Sequence, residues 1–115
     1  MLDWNRIREL RNEVGDDEFK LILELFLDEV EGVLMRLRRR SGAALAADLH
    51  FLKGCACNLG FRDFGTLCGE GERLAGGGRS AAFDIEAMMR CYSESKQMLI
   101  RSLEAEGQGE TMRRA

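Results

Sequence analysis

The sequence contains a single histidine, His50, set in the run His50-Phe51-Leu52-Lys53-Gly54. Histidine titrates near neutrality, so it offers a neutral, nucleophilic ring nitrogen at cytoplasmic pH. Lys53 lies three residues on, on the same side of a helix, and can bring its ammonium to whatever the ring carries. A cation there would offset the charge of a phosphorylated imidazole, both in the product and during transfer. Gly54 follows one turn after His50, where a side chain would lean back toward the ring. Glycine inside a helix costs about 1 kcal/mol relative to alanine, so something must compensate. Open access to the imidazole is one reason for it, and close packing against a neighbouring helix is the other.

The remaining chemistry-bearing residues have structural readings. Cys55, Cys57, Cys68 and Cys91 resemble a metal or disulfide framework only in number. Cys55 and Cys57 point to nearly opposite sides of a helix and cannot clamp one ion together, and a cytoplasmic setting keeps thiols reduced. They are expected to act as small buried hydrophobes. Gly76-Gly77-Gly78 has no preceding strand and no following Lys-Ser or Lys-Thr, so it reads as a helix stop rather than a phosphate cradle. Arg36, Arg38, Arg39 and Arg40 close a helix that opens on Asp16-Asp17-Glu18, an order that complements the helix dipole without any bound anion.

Five helical segments must position these groups. Asp3 to Val14 carries an Asp cap, places Trp4, Ile7, Leu10 and Val14 at helical spacing, and ends at Gly15. The second, from Asp16, holds the stripe Phe19, Ile22, Leu23, Phe26, Val30, Val33, Leu34 and Leu37. The third runs from Ala43 to Leu59, with Gly60 as a fitting C-terminal cap. Its Leu45, Leu49, Leu52, Ala56 and Leu59 fall within a sector of about 80°, which must face the core. His50 then points outward with Lys53, Gly54 and Cys57, on a surface kept smooth by Ala43, Ala46 and Ala47. A fourth segment, about Arg62 to Ala75, carries Phe64, Leu67, Cys68 and Leu74. A fifth, roughly Ala82 to Ala105, uses Phe83, Ile85, Met88, Met89, Tyr92, Met98, Leu99 and Leu103. Phe61 and Phe64 are assigned to the core rather than to a docking rim.

At 115 residues the chain makes one domain, and it has no proline, 45% hydrophobic and 32% charged residues, a composition suited to helices joined by glycine turns. The expected fold is all-α: an antiparallel four-helix bundle with the short first helix covering one end. Residues 1–106 form the domain, and the polar residues 107–115 are expected to be a disordered tail. A net charge of -3 gives no broad basic surface, so nucleic acid is not expected as a partner. The apolar stretch Leu21 to Leu27 is too short to cross a bilayer, and Met-Leu-Asp-Trp does not open a secretion signal. The chain is expected to be cytoplasmic, away from membranes, and monomeric, each stripe being buried within one bundle.

The run His50-Phe51-Leu52-Lys53-Gly54, continued by Cys55-Ala56-Cys57-Asn58-Leu59-Gly60 and later by Leu67-Cys68, resembles the His-x-Leu-Lys-Gly signature of histidine-phosphotransfer domains. It departs from the usual pattern at Leu49, where alanine is common, and at Cys55 and Cys57, where serine or alanine is common. The resemblance implies an up-and-down four-helix bundle with His50 as the phosphorylated residue, assisted by Lys53 and Gly54. The partners it implies are response-regulator receiver domains, or a hybrid sensor kinase, the receiver supplying Mg²⁺ and the chain needing no cofactor or metal of its own. It implies a phosphoryl carrier in two-component signalling, without autonomous kinase activity. A docking module with an unphosphorylated histidine would have no need of the His50, Lys53 and Gly54 trio. The phosphoacceptor half of a sensor kinase usually has an acidic residue directly after its histidine, where this chain has Phe51.

Overall fold

Asp3 opens the structure as the sequence leads one to expect: its carboxylate accepts the backbone N–H of Arg6 at 3.1 Å and caps α1, Trp4–Val14. Gly15 takes φ of 85° and turns the chain into α2, Asp16–Leu37, whose first turn is acidic. α3 covers Gly42–Leu59, α4 Arg62–Gly76 and α5 Ile85–Arg114, with a 3₁₀ turn at Ser80–Ala82 before α5. This computed structural model describes the backbone of residues 1–114 and the side-chain surroundings of residues 1–106. Among them the secondary structure is entirely helical. The expected tail from 107 falls outside the residues whose surroundings are described. No described helix is long and apolar enough to cross a membrane.

Each helix turns most of its stripe into one shared core, but Trp4 of α1 and Met98 of α5, expected in their stripes, are exposed. Leu45, Leu49, Leu52, Ala56 and Leu59 of α3 are all buried, as are Phe19, Leu23, Val30, Val33, Leu34 and Leu37 of α2. Ile22 and Phe26 stay half-buried at the edge, and Leu27 is buried in addition. Phe61 and Phe64 are each 1% exposed and stack obliquely on Tyr92 of α5, with ring centroids 6.0 and 5.2 Å away. Cys55 and Cys68 are buried as expected, but Cys91 is half-buried and Cys57 is exposed, because it points away from Cys55 on α3, so the buried reading fails for Cys57.

Polar links tie the helices together. Arg36 donates to Asp48 of α3 at 3.0 Å and Arg40 lies 3.5 Å from the same carboxylate. Arg38 holds Glu86 of α5 at 2.7 Å, and Glu31 accepts from Tyr92 and Lys96, each at 2.6 Å. The arginine run therefore does more than complement a dipole. α2 ends at Leu37, and three of the four arginines at and just past its end hold carboxylates on neighbouring helices. That is also why α3 tolerates Asp48, one of its two charged residues, at 8% exposure.

Two local details differ from the spacing. The fifth helix begins at Ile85 rather than Ala82, because Asp84 caps it by accepting the Ala87 N–H at 3.0 Å. Phe83, freed from the helix, lies against Gly71 of α4, where a Cβ would stand 2.6 Å from its ring. α3 in turn begins at Gly42, whose N–H donates to the Ser80 hydroxyl at 3.1 Å, so a distant turn caps it.

Candidate functional site

α3 can expose His50 only because α2, α4 and α1 hold its other sides. Asp48 ties it to α2, and its C-terminal end is fixed by Gly60, which takes φ of 83° in the left-handed region that favours glycine. The carbonyl of Gly60 accepts the Asp3 N–H at 2.7 Å. A Cβ on Gly60 would lie 2.9 Å from both the Asp3 carbonyl oxygen and the Ile7 side chain. The helix is thus pinned at both ends, and its phase about its own axis is set by five buried apolar residues.

On the remaining side α4 approaches closely through small residues. A Cβ on Gly65 would sit 3.2 Å from the Ala56 methyl, and one on Gly69 would touch the Lys53 chain at 3.6 Å. This close approach brings Glu72, one turn beyond Gly69, to His50. The ring Nδ1 lies 2.8 Å from Glu72 Oε1, with 74% of the His50 side chain and 29% of the Glu72 side chain exposed. An ionised carboxylate can only accept, so Nδ1 carries a proton, and in the neutral ring Nε2 then keeps its lone pair. The nucleophilic nitrogen is then the one turned away from α4.

Lys53 is exposed and its stem lies along Gly69, on the α4 side of His50. Gly54 is exposed, and a Cβ placed there would meet nothing within 4 Å. Packing against a neighbouring helix therefore does not explain this glycine, and the surface beside it is open to the outside. Ala43, Ala47 and Cys57 are exposed on α3 as expected, while Ala46 is half-buried. Phe51, beside His50, is 44% exposed and faces Gly32 and Val33 of α2. A groove lined by Arg6 of α1, Lys53 and Cys57 of α3, and Arg62 and Thr66 of α4 opens from the lysine toward the α1 end.

Three of the residues singled out by sequence, His50, Lys53 and Gly54, thus form one continuous exposed surface. Glu72 was missed. It stands 22 residues from His50 on another helix, and the one signal in the sequence is indirect: Gly65, Gly69 and Gly71 mark α4 as a helix that a neighbour approaches closely. Among the described residues no cluster of His, Cys, Asp and Glu could hold a metal ion. Burial pushes the Cys68 thiol well above its ordinary value, and that of Cys55 upward too, which removes both from nucleophilic chemistry.

No curated protein and no solved structure matches the sequence. The family model described as Hpt domain matches residues 21–106. That span holds α2 from Leu21 onward, α3, α4 and most of α5, with the His50, Lys53, Gly54 and Glu72 surface, and over it the chain belongs to the Hpt domain family.

Proposed function

We propose that the chain is a phosphorelay intermediate: His50 takes a phosphoryl group from the aspartyl phosphate of one receiver domain and passes it to another. The observation that carries this reading is the division of the His50 ring, with Nδ1 held by Glu72 at 2.8 Å and the rest of the side chain open to solvent. In the forward step the Nε2 lone pair forms a bond to phosphorus. The bond between phosphorus and the aspartyl oxygen breaks, and the carboxylate leaves with that electron pair. The ring gains positive charge as the N–P bond forms, and Glu72 stabilises it through the Nδ1–H. Return transfer to an aspartate on a second receiver reverses each of these movements.

Lys53 supplies a cation beside the transferred group, and Gly54 leaves room for the receiver surface to come within bonding distance. Mg²⁺ belongs to the receiver in this reading, and the chain contributes no metal ligand and no kinase activity of its own. A receiver borne on a hybrid sensor kinase is one partner, a separate response regulator the other, with the exchange taking place in the cytoplasm. The bundle is read as up-and-down and antiparallel. In support, rising numbers in one helix meet falling numbers in the next: Ala56 with Gly65 and Lys53 with Gly69, Phe64 with Tyr92 and Cys68 with Met88, and Glu31 with Tyr92 and Arg38 with Glu86.

The test is incubation with a phosphorylated receiver, following acid-labile phosphate on the chain. Wild type is expected to take up label and His50→Gln to take up none. Equal labelling of both, or no labelling of wild type by any receiver of its own cell, overturns the reading.

A further inference from the structure

α2 carries a second apolar stripe on the side opposite its core. Leu21, Leu25 and Met35 are 52%, 58% and 81% exposed. Advancing 100° per residue, they and Gly32 fall within about 40° of one line along the helix. An outward helix face is normally polar, and here its apolar residues are the most exposed large hydrophobic side chains among the described residues. A Cβ on Gly32 would meet nothing within 4 Å, so the glycine leaves a hole open to the outside.

The same line begins at Asp17 and, in the turn just past the helix end, reaches Arg39. Arg39 is the exception within its run, and Asp17 shares its unpaired state with Glu18 beside it. Asp16 is paired with Arg11, and Arg36, Arg38 and Arg40 are paired with Asp48 or Glu86, whereas Asp17 and Arg39 have no ion-pair partner among the described residues. The stripe is also self-complementary about its midpoint, Asp28. Asp17 and Arg39 lie equally far from Asp28 on either side, as do Leu21 and Met35, while Leu25 lies three residues before it and Gly32 four after, one residue short of exact symmetry.

We propose that this face binds a second copy of the chain, α2 against α2 in antiparallel register about a two-fold axis through Asp28. A two-fold contact brings each residue against its counterpart across the axis. Asp17 of each copy then meets Arg39 of the other, Leu21 packs on Met35, and Leu25 enters the hole at Gly32. Charge complementarity at both ends fixes the antiparallel direction, since a parallel pair would set Asp17 on Asp17 and Arg39 on Arg39. The two Asp28 carboxylates face each other on the axis and oppose the contact, which keeps it weak and reversible. His50 stays accessible, because it turns to Glu72 of α4 while Asp48 and Phe51 are the α3 residues turned to α2. The expectation of a monomer followed from the inward stripes alone, and the outer stripe of α2 leads to a self-associating carrier. This inference does not depend on the transfer chemistry.

Sedimentation velocity of the full chain over a concentration series tests it, with circular dichroism confirming that each variant keeps its helicity. Wild type is expected to move from one-chain to two-chain mass as concentration rises, and Asp28→Asn to tighten association roughly threefold to tenfold. Leu25→Glu and Met35→Glu are each expected to remain single chains. Asp17→Arg is expected to weaken association, and the double variant Asp17→Arg/Arg39→Asp to restore it. A single-chain mass for wild type and Asp28→Asn at every concentration overturns the proposal, as does association unaffected by Leu25→Glu and Met35→Glu or unrestored by the double exchange. Loss of receiver-dependent transfer in Leu25→Glu without any change in self-association assigns the stripe to the receiver instead, and also overturns it.

Discussion

Glu72 gives the two nitrogens of His50 different tasks: Nδ1 holds a proton and Nε2 is free to react. Glu72→Ala removes both the tautomer preference and the negative charge that stabilises the ring as it is phosphorylated. Transfer is expected to slow roughly tenfold, equivalent to about 1.4 kcal/mol in the barrier. Glu72→Gln keeps an acceptor for Nδ1–H and loses only the charge, so its rate is expected between the two, read from the initial rate of label uptake. A rate for Glu72→Ala equal to wild type removes Glu72 from the chemistry. Gly54→Glu probes the approach. A Cβ there meets nothing inside the molecule, so helicity and melting temperature are expected to change little while transfer is suppressed, since the new carboxylate crowds and charges the surface beside His50. Transfer at the wild-type rate would show that Gly54 is not there for access. His50, Lys53 and Gly54 were legible because they lie within one turn of one helix, where a fixed rotation per residue determines which side chains share a face. Glu72 was not, because its place beside His50 depends on how two helices pack.

At the scale of the elements, the core-facing sides of α2 and α3 were read correctly, since an apolar stripe on a long helix leaves only one face for the core, whereas on the short α1 only Ile7 and Leu10 of the four expected residues are buried. What could not be read were the contacts that fix the helices to one another. Ser80 capping Gly42, Asp48 receiving two arginines, and Phe83 seated on Gly71 all join residues far apart in sequence, and no local period encodes them. Gly60 lies between the two kinds: its place after Leu59 marks a helix end, but its near contact with Asp3 and Ile7 is tertiary. Gly60→Ala therefore carries two penalties, a left-handed backbone and an overlap with α1. It is expected to destabilise the fold by about 1–3 kcal/mol, measured by denaturant unfolding. A loss no larger than that of an exposed substitution on α3 would mean that α1 does not press on this turn.

For the whole molecule, α2 and α5 are joined across the bundle by the Glu31, Tyr92 and Lys96 cluster. Burial works against charge on Glu31, but the hydrogen bonds from Lys96 and Tyr92 and the nearby ammonium outweigh it and hold the carboxyl below its ordinary 4.5. Its stabilisation is present above that ordinary value and is lost as pH falls through the lowered one. The gap in melting temperature between wild type and Glu31→Gln is thus expected to be constant from neutrality to about pH 5 and to close below the usual carboxylate range; a gap unchanged down to strongly acidic pH contradicts the pairing. In the proposed relay the bundle presents one imidazole in a fixed orientation, and the most direct measurement reads that ring. The ¹⁵N-labelled chain, phosphorylated by a receiver, is followed by NMR of the His50 nitrogens. Phosphorus bonded to Nε2 with Nδ1 still protonated is the expected result; phosphorus on Nδ1 contradicts the role given to Glu72, and phosphorus on another residue or on none contradicts the assignment of His50 as the carrier.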